Sequence, residues 1–354
     1  MIEVGNINPY LIDGPTVILE YRTRPICDVP KMTLGSMPKD GGNLILSSEE
    51  KSDLERAEPA AKRWVRRFMG SEEFIHNKER WCLWLVGIPP NELRQLPLVN
   101  SRVQKVREMR LASPAPSTRA GANFPAVFRQ LNQPVGSYLI MPRVSSETRK
   151  YIPIGYMTPD VIVSDLVYSV PNATLFHFGL LASSMHNSWV RVVCGRLKSD
   201  YRYSNSIVYN NFPWPELPAP VIPANAGIQP FGSDQQKLDS GFRRNDEHGQ
   251  KLRAAIETAA QSVLDARAQF PDATLADLYD PLTMPPVLVK AHATLDKAVD
   301  AAYIAAEKAA GRKPPKLGTD AERVAFLFER YQALTSLLPA TKAKKPRAKK
   351  PPPA

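Results

Sequence analysis

Apolar and polar positions divide this chain into stretches of different character. Residues 48–70 read as a helix, with Ser48 as its N-cap and Glu50 in its first turn. Arg80-Trp81-Cys82-Leu83-Trp84-Leu85-Val86 is a compact apolar and aromatic strand, stopped by Pro89 and Pro90. A second helix is expected from Pro90 to Ala112, its polar face carrying Arg94, Arg102, Lys105, Arg107 and Arg110. Strand and turn alternate over residues 113–170. Residues 174–194 read as helical and largely buried. The next ten residues, 195–204, are polar, aromatic and rich in hydrogen-bonding side chains, and Ile207-Val208-Tyr209-Asn210-Asn211-Phe212-Pro213-Trp214-Pro215 closes the unit.

The flanks differ. Residues 1–48 carry glycine and proline at short intervals around short apolar stretches such as Thr16-Val17-Ile18-Leu19, a pattern of strands and turns without a closed core. This lead-in reads as the end of something longer. Residues 216–250 lose all apolar period, and parts of them resemble the translation of a small repetitive element found in some bacterial genomes, so 221–250 is expected to be a disordered insertion. Residues 251–338 are rich in alanine and leucine at helical spacing, broken by Pro281, Pro285, Pro286, Gly311, Pro314 and Pro315, which predicts three or four antiparallel helices. The fold class expected is therefore α+β, a mixed or antiparallel twisted sheet with helices over 49–220, followed by an all-α domain over 251–340. Residues 341–354 form a basic tail expected to be disordered.

Composition sharpens this only in part. A length of 354 residues suits two or three domains, and 43% hydrophobic with 23% charged residues is ordinary for a packed protein. The net charge is +11, but six basic residues after Thr341 account for much of it and the body carries +5. That mild excess fits a polyanionic partner without proving one. Cys27, Cys82 and Cys194 are too scattered for a disulfide framework or a zinc site and read as free thiols. The N-terminus lacks the pattern of a signal peptide and no segment approaches the length of a membrane span, so a cytoplasmic protein without membrane contact is expected.

Catalytic motifs are not found. An adenine methyltransferase needs a glycine-bearing turn against its cofactor and an Asn/Asp-Pro-Pro-aromatic loop to grip a flipped base. Asn8-Pro9-Tyr10 imitates the loop with one proline missing and reads better as a turn. The acidic residues lack a nuclease spacing. His76, His177, His186, His248 and His292 form no metal-binding pair, and His177 and His186, on an apolar helix, read as core or interface residues. Ser183-Ser184 lies outside any nucleophile elbow. No catalytic residue, metal ligand or cofactor contact is assigned to the chain.

At Trp81-Cys82-Leu83-Trp84-Leu85, Tyr151-Ile152-Pro153-Ile154-Gly155, Ser183-Ser184-Met185-His186 and above all residues 195–215, the chain resembles the C-terminal half of the bacterial MmeI-like enzymes. Asp277-Leu278-Tyr279-Asp280-Pro281 and residues 320–334 resemble the family's helical end. These single-chain type IIL restriction–modification proteins join a nuclease, an S-adenosylmethionine-dependent adenine methyltransferase, a target-recognition domain and a helical domain. The resemblance implies sequence-specific recognition of double-stranded DNA without the catalytic portions. Two alternatives stand beside it: a truncated remnant without function, and a fragment supporting methylation only with a separate methyltransferase or nuclease chain.

Base reading in a major groove needs donors and acceptors that match base edges. Lys198 offers donors that suit guanine O6 and N7, and Asp200 offers acceptors that suit the cytosine amino group. Two residues apart on a strand, they would share one face and address one G·C pair. Arg202 is next on that face and could read a neighbouring purine bidentately. The resemblance implicates residues 197–203 in base choice. Leu166, on a preceding strand, would border the same bases. An exposed Lys198–Asp200 salt bridge is the plainer alternative. Arg143, Ser145, Ser146, Thr148, Arg149 and Lys150 form a polar, basic loop suited to phosphate oxygens, or else a merely solvated one. Tyr201 and Tyr203 could stack on DNA or face inward, and Trp214 is expected to pack at a domain junction.

Overall fold

The computed structural model describes residues 6–12, 15–217 and 236–336, with only the backbone over 236–246. The basic tail at 341–354 and residues 221–235 of the expected insertion lie outside the described residues.

Along the chain, β1 (Thr33–Leu34) and β2 (Ile45–Leu46) precede α1 (Ser48–Ala57), then come β3 (Val65–Met69), α2 (Ser71–His76), β4 (Trp81–Leu83), α3 (Pro90–Arg94), α4 (Pro97–Leu111) and α5 (Pro116–Ala120). The second half of this unit contains β5 (Tyr138–Pro142), β6 (Val144–Ser145), β7 (Gly155–Met157), β8 (Ile162–Val163), β9 (Val167–Pro171), α6 (Leu175–Ala182), α7 (Ser184–Val193), β10 (Gly195–Leu197) and β11 (Asp200–Arg202). Helices α8 (Gln236–Ala268), α9 (Leu275–Leu278), α10 (Pro286–Ala309) and α11 (Asp320–Ser336) follow. The fold is thus an α+β unit followed by a helical region.

Three small sheets build the first unit: β1-β9-β5-β7, β2-β4-β3-β8 and β10-β11-β6. All pairings are antiparallel except β3 with β8. Residues 33–46 belong to this unit, because β1 pairs with β9 and β2 with β4. Gly35 lets the backbones meet there: a Cβ at that position would stand 2.2 Å from the Ser164 carbonyl oxygen.

Several predicted boundaries shift for identifiable reasons. The helix expected over 48–70 stops at Ala57, a 3-10 helix fills Pro59–Trp64, and Val65–Met69 becomes a strand because it pairs with β4. Its N-cap is Ser47 rather than Ser48: the Ser47 hydroxyl accepts the Glu50 N–H at 3.1 Å, and the Glu50 carboxylate accepts the Ser47 N–H at 2.9 Å. The helix expected over 90–112 is two helices, since Pro97 begins a new first turn. Arg110 does not lie on a solvated face: it is 1% exposed and donates to the carbonyls of Pro38, Lys39, Gly121, Phe124 and Val127. The helix expected over 174–194 breaks at Ser183, whose extended backbone caps α7. Residues 236–250, assigned to a disordered insertion, are the opening turns of α8.

One apolar cluster runs from the first sheet through α6 and α7 into the helical region. Trp189 on α7 is fully buried, packs against Phe212, Phe328 and Tyr331, and donates its indole N–H to the Val208 carbonyl. At Gly179 on α6 the two units meet closely, with a Cβ placed 2.7 Å from Ile256 Cγ2 of α8. A second cluster lies between β2, β3, β4 and α4.

Candidate nucleic-acid interface

The polar stretch near residue 200 folds as a hairpin. Leu197 and Asp200 are paired across it, so the turn is Lys198-Ser199. Lys198 holds a left-handed backbone, φ 57°, as a two-residue hairpin turn requires. The expectation that Lys198 and Asp200 share a strand face is therefore corrected. Lys198 sits in the turn and Asp200 begins the returning strand, so they meet at the tip rather than along one face. Asp200 and Arg202 do share a face.

The opposite side of β11 anchors the hairpin. Tyr201 is 5% exposed and Tyr203 2%, both facing the core, and the Tyr203 hydroxyl lies 3.0 Å from His186 Nε2. The tyrosines are thus core residues rather than stacking platforms. Arg196 on β10 stands over the Tyr201 ring at 4.2 Å, pairs with Glu147 at 3.3 Å and donates to the Ser199 carbonyl at 2.9 Å. Among the described residues, neither the Lys198 ammonium nor the Arg202 guanidinium has a hydrogen-bond or ion-pair partner, and no bond joins Lys198 to Asp200. The exposed salt bridge between them does not form. Asp200 Oδ1 accepts only a long bond, 3.4 Å, from the Glu147 N–H.

Leu166 is 45% exposed, and its carbonyl accepts from Ser71 Oγ at 2.7 Å and from the Arg143 N–H at 3.3 Å. Arg143 also donates to the Asp165 carbonyl, and its own carbonyl accepts the Tyr203 N–H at 2.8 Å. Val144, its neighbour, is the register partner of Arg202. Arg143, Leu166 and Arg202 are consequently joined through backbone hydrogen bonds into one surface. Arg143 stands with this group more than with the loop that follows it.

In that loop, Ser146 and Thr148 bond to each other through their hydroxyls at 3.0 Å, and Lys150 is exposed over the Tyr151 ring at 5.1 Å. Ser145 is corrected: it is 3% exposed, inside β6 beside Tyr201, and offers no hydroxyl to a phosphate. Arg149 is half-buried; burial pushes its pKa down, while Asp200, Asp280 and Glu72 oppose that. Sequence reading missed Arg196 and Ser71. Ser71 could not be found that way, because its contacts are 72 and 95 residues away.

His177, His186 and His292 are packed into the interior. His186 is buried with its pKa pushed down to about 3, and burial lowers His177 to about 4, with Arg253 adding to the effect. His177 Nδ1 accepts the N–H of Thr174, the N-cap of α6, at 3.0 Å, and its ring meets Trp214 edge-on. Trp214 is buried against Tyr209 and Phe212. Among the described residues no cluster of three metal-ligating side chains occurs, and no helix is long and apolar enough to cross a membrane.

The model of the MmeI target recognition domain matches residues 13–216, and that of the MmeI C-terminal domain matches residues 248–339. The chain belongs to the MmeI family. DNA methyltransferase A of Bacillus subtilis (strain 168) is 36% identical over 332 residues, 94% of this chain. A solved structure of the type IIL restriction-modification enzyme MmeI in complex with DNA is 45% identical over 95% of this chain, with a TM-score of 0.79. The chain spans 33% of the curated relative and 40% of the solved one. The MmeI resemblance on residues 195–215 and on the helical end is thereby established, and the hairpin lies within the target recognition domain.

Proposed function

We propose that this chain recognises a specific sequence in double-stranded DNA, as the specificity portion of an adenine-N6 methyltransferase system. The supporting observation is the hairpin: its inner side is buried through Tyr201 and Tyr203, while Lys198, Asp200 and Arg202 project with almost unused hydrogen-bonding capacity. Donors and acceptors kept free on a rigid edge are what groove reading needs. The match to a protein solved with DNA supports the same reading.

At the tip, Lys198 donates to guanine O6 and N7 while Asp200 accepts from the cytosine amino group of the same pair. Arg202 and Leu166 address a neighbouring pair, beside Arg143. Ser146, Thr148, Arg149 and Lys150 face the phosphates and set register. Methyl transfer belongs to a partner protein or domain that supplies S-adenosylmethionine chemistry.

The test is selection from a randomised duplex pool with the whole chain. An enriched motif containing a G·C pair is expected, and exchanging Lys198 with Asp200 should change that pair by about 1–3 kcal/mol of preference. No enrichment with the parent chain, or an unchanged motif after the exchange, overturns the assignment.

A further inference from the structure

The loop of residues 146–150 is held from two sides. Towards the hairpin, the Glu147 N–H reaches Asp200 and the Glu147 carboxylate pairs with Arg196. Towards the helical region, Arg191 near the end of α7 donates one guanidinium nitrogen to the Lys150 carbonyl and pairs through another with Asp320 of α11 at 2.8 Å. Asp320 also accepts from Ser188 Oγ at 2.8 Å. The Arg191 carbonyl in turn accepts from Arg196 at 3.3 Å. A continuous set of bonds therefore runs from α11 through Arg191 to both the loop and the turn that carries Lys198.

A parallel tie lies alongside. Asp296 of α10 accepts from the Tyr151 hydroxyl at 2.8 Å and from the Ser184 N–H and hydroxyl, each at 2.6 Å. Both ties connect the helical region to the residues next to the loop. Within the hairpin, β11 is held by the buried Tyr201 and Tyr203 and by its pairing with β6, whereas β10 is exposed along its three residues and depends on bonds such as those of Arg196.

We propose that Arg191 and Asp320 are positioning residues for DNA reading: the helical region sets the placement of the β10–β11 hairpin through the Asp320–Arg191–Lys150 tie. This rests on the DNA-reading function above. Asp320 is more than half exposed, so the tie adds little to global stability. Its effect falls on where Asp200 and Lys198 stand relative to a base pair.

The experiment uses the whole chain and the duplex pool. The motif enriched by the parent chain is made as one duplex, and a second duplex carries the G·C pair assigned to Lys198 and Asp200 inverted. Asp320→Ala and Arg191→Lys should each reduce the preference between the two by about threefold to fivefold, the ceiling for an exposed ion pair. Lysine cannot span the Asp320 carboxylate and the Lys150 carbonyl together. Asp320→Glu should restore most of the preference. The thermal midpoint and the salt dependence of binding should stay at parent values, which a general loss of structure would not allow. Parent-level preference in both variants overturns the inference while leaving DNA reading intact; a parent chain that enriches no motif removes the reading itself.

Discussion

The Nε2 of His186 on α7 lies 3.0 Å from the hydroxyl of Tyr203, which roots the β10–β11 hairpin in the core. Both groups are fully buried, and burial holds the imidazole neutral, with its pKa down at about 3. His292 is likewise buried and pushed well below its usual value, chiefly by burial. In the unfolded chain both titrate near 6.5 and bind protons that the folded chain refuses. Their contribution to stability is therefore complete above about pH 6.5 and declines as the pH falls towards the folded values. Together they should remove about 3 kcal/mol per pH unit once well below 6. Urea unfolding at pH 7 and pH 5 measures this; a midpoint unchanged between the two would show that the imidazoles ionise in place.

Arg110 is a second polar group committed to the core. Its guanidinium satisfies five backbone carbonyls from two loops, and burial lowers its pKa. Arg110→Met should cost about 3–5 kcal/mol, because the carbonyls are left without donors. Arg110→Lys should recover little, since three donors on a flexible stem cannot replace the planar fork. Urea midpoints of the two variants decide it.

Gly35 offers a test of backbone packing. An alanine there would put its Cβ 2.2 Å from the Ser164 oxygen, and the nearest atoms all belong to backbone. Gly35→Ala should cost about 3 kcal/mol or more, the upper range for overpacking. A thermal midpoint at the parent value would mean that the backbone at Val163 and Ser164 moves aside without penalty.

At the hairpin tip the expectation reverses. Lys198→Ala combined with Asp200→Ala should change stability by less than about 0.5 kcal/mol, because Lys198 has no hydrogen-bond or ion-pair partner among the described residues and Asp200 accepts one long bond. The same variant should lose its preference at one base pair in duplex selection. A strongly destabilised double variant would assign these residues to folding instead.

Phosphate contacts should act differently from base contacts. Lys150→Ala should weaken binding to all duplexes alike and reduce the slope of log affinity against log salt by about 0.9. A sequence-dependent loss with an unchanged slope would place Lys150 among the base readers.

Much of this molecule was legible before folding. The division into an α+β unit and a helical end followed from apolar spacing and proline breaks, and the likeness at residues 195–215 drew attention to that stretch, though as a strand rather than a hairpin. Local chemistry was legible in part where partners are near in sequence: a serine N-cap with Glu50 in the first turn was expected, but the cap is Ser47 rather than Ser48. Strand Val65–Met69 was not, because its conformation depends on pairing with Trp81–Leu83.

Amino-acid order by itself determined which residues carry strong hydrogen-bonding groups and which stretches could bury an apolar face, since both are properties of side chains and their period. Tertiary structure alone decided that Lys198 turns rather than extends, that Ser145 and Arg110 are inside, and that Ser71 and Arg191 find hydrogen-bond partners far along the chain. Those outcomes depend on contacts between residues as far as 129 positions apart, and no local pattern encodes a partner at that distance.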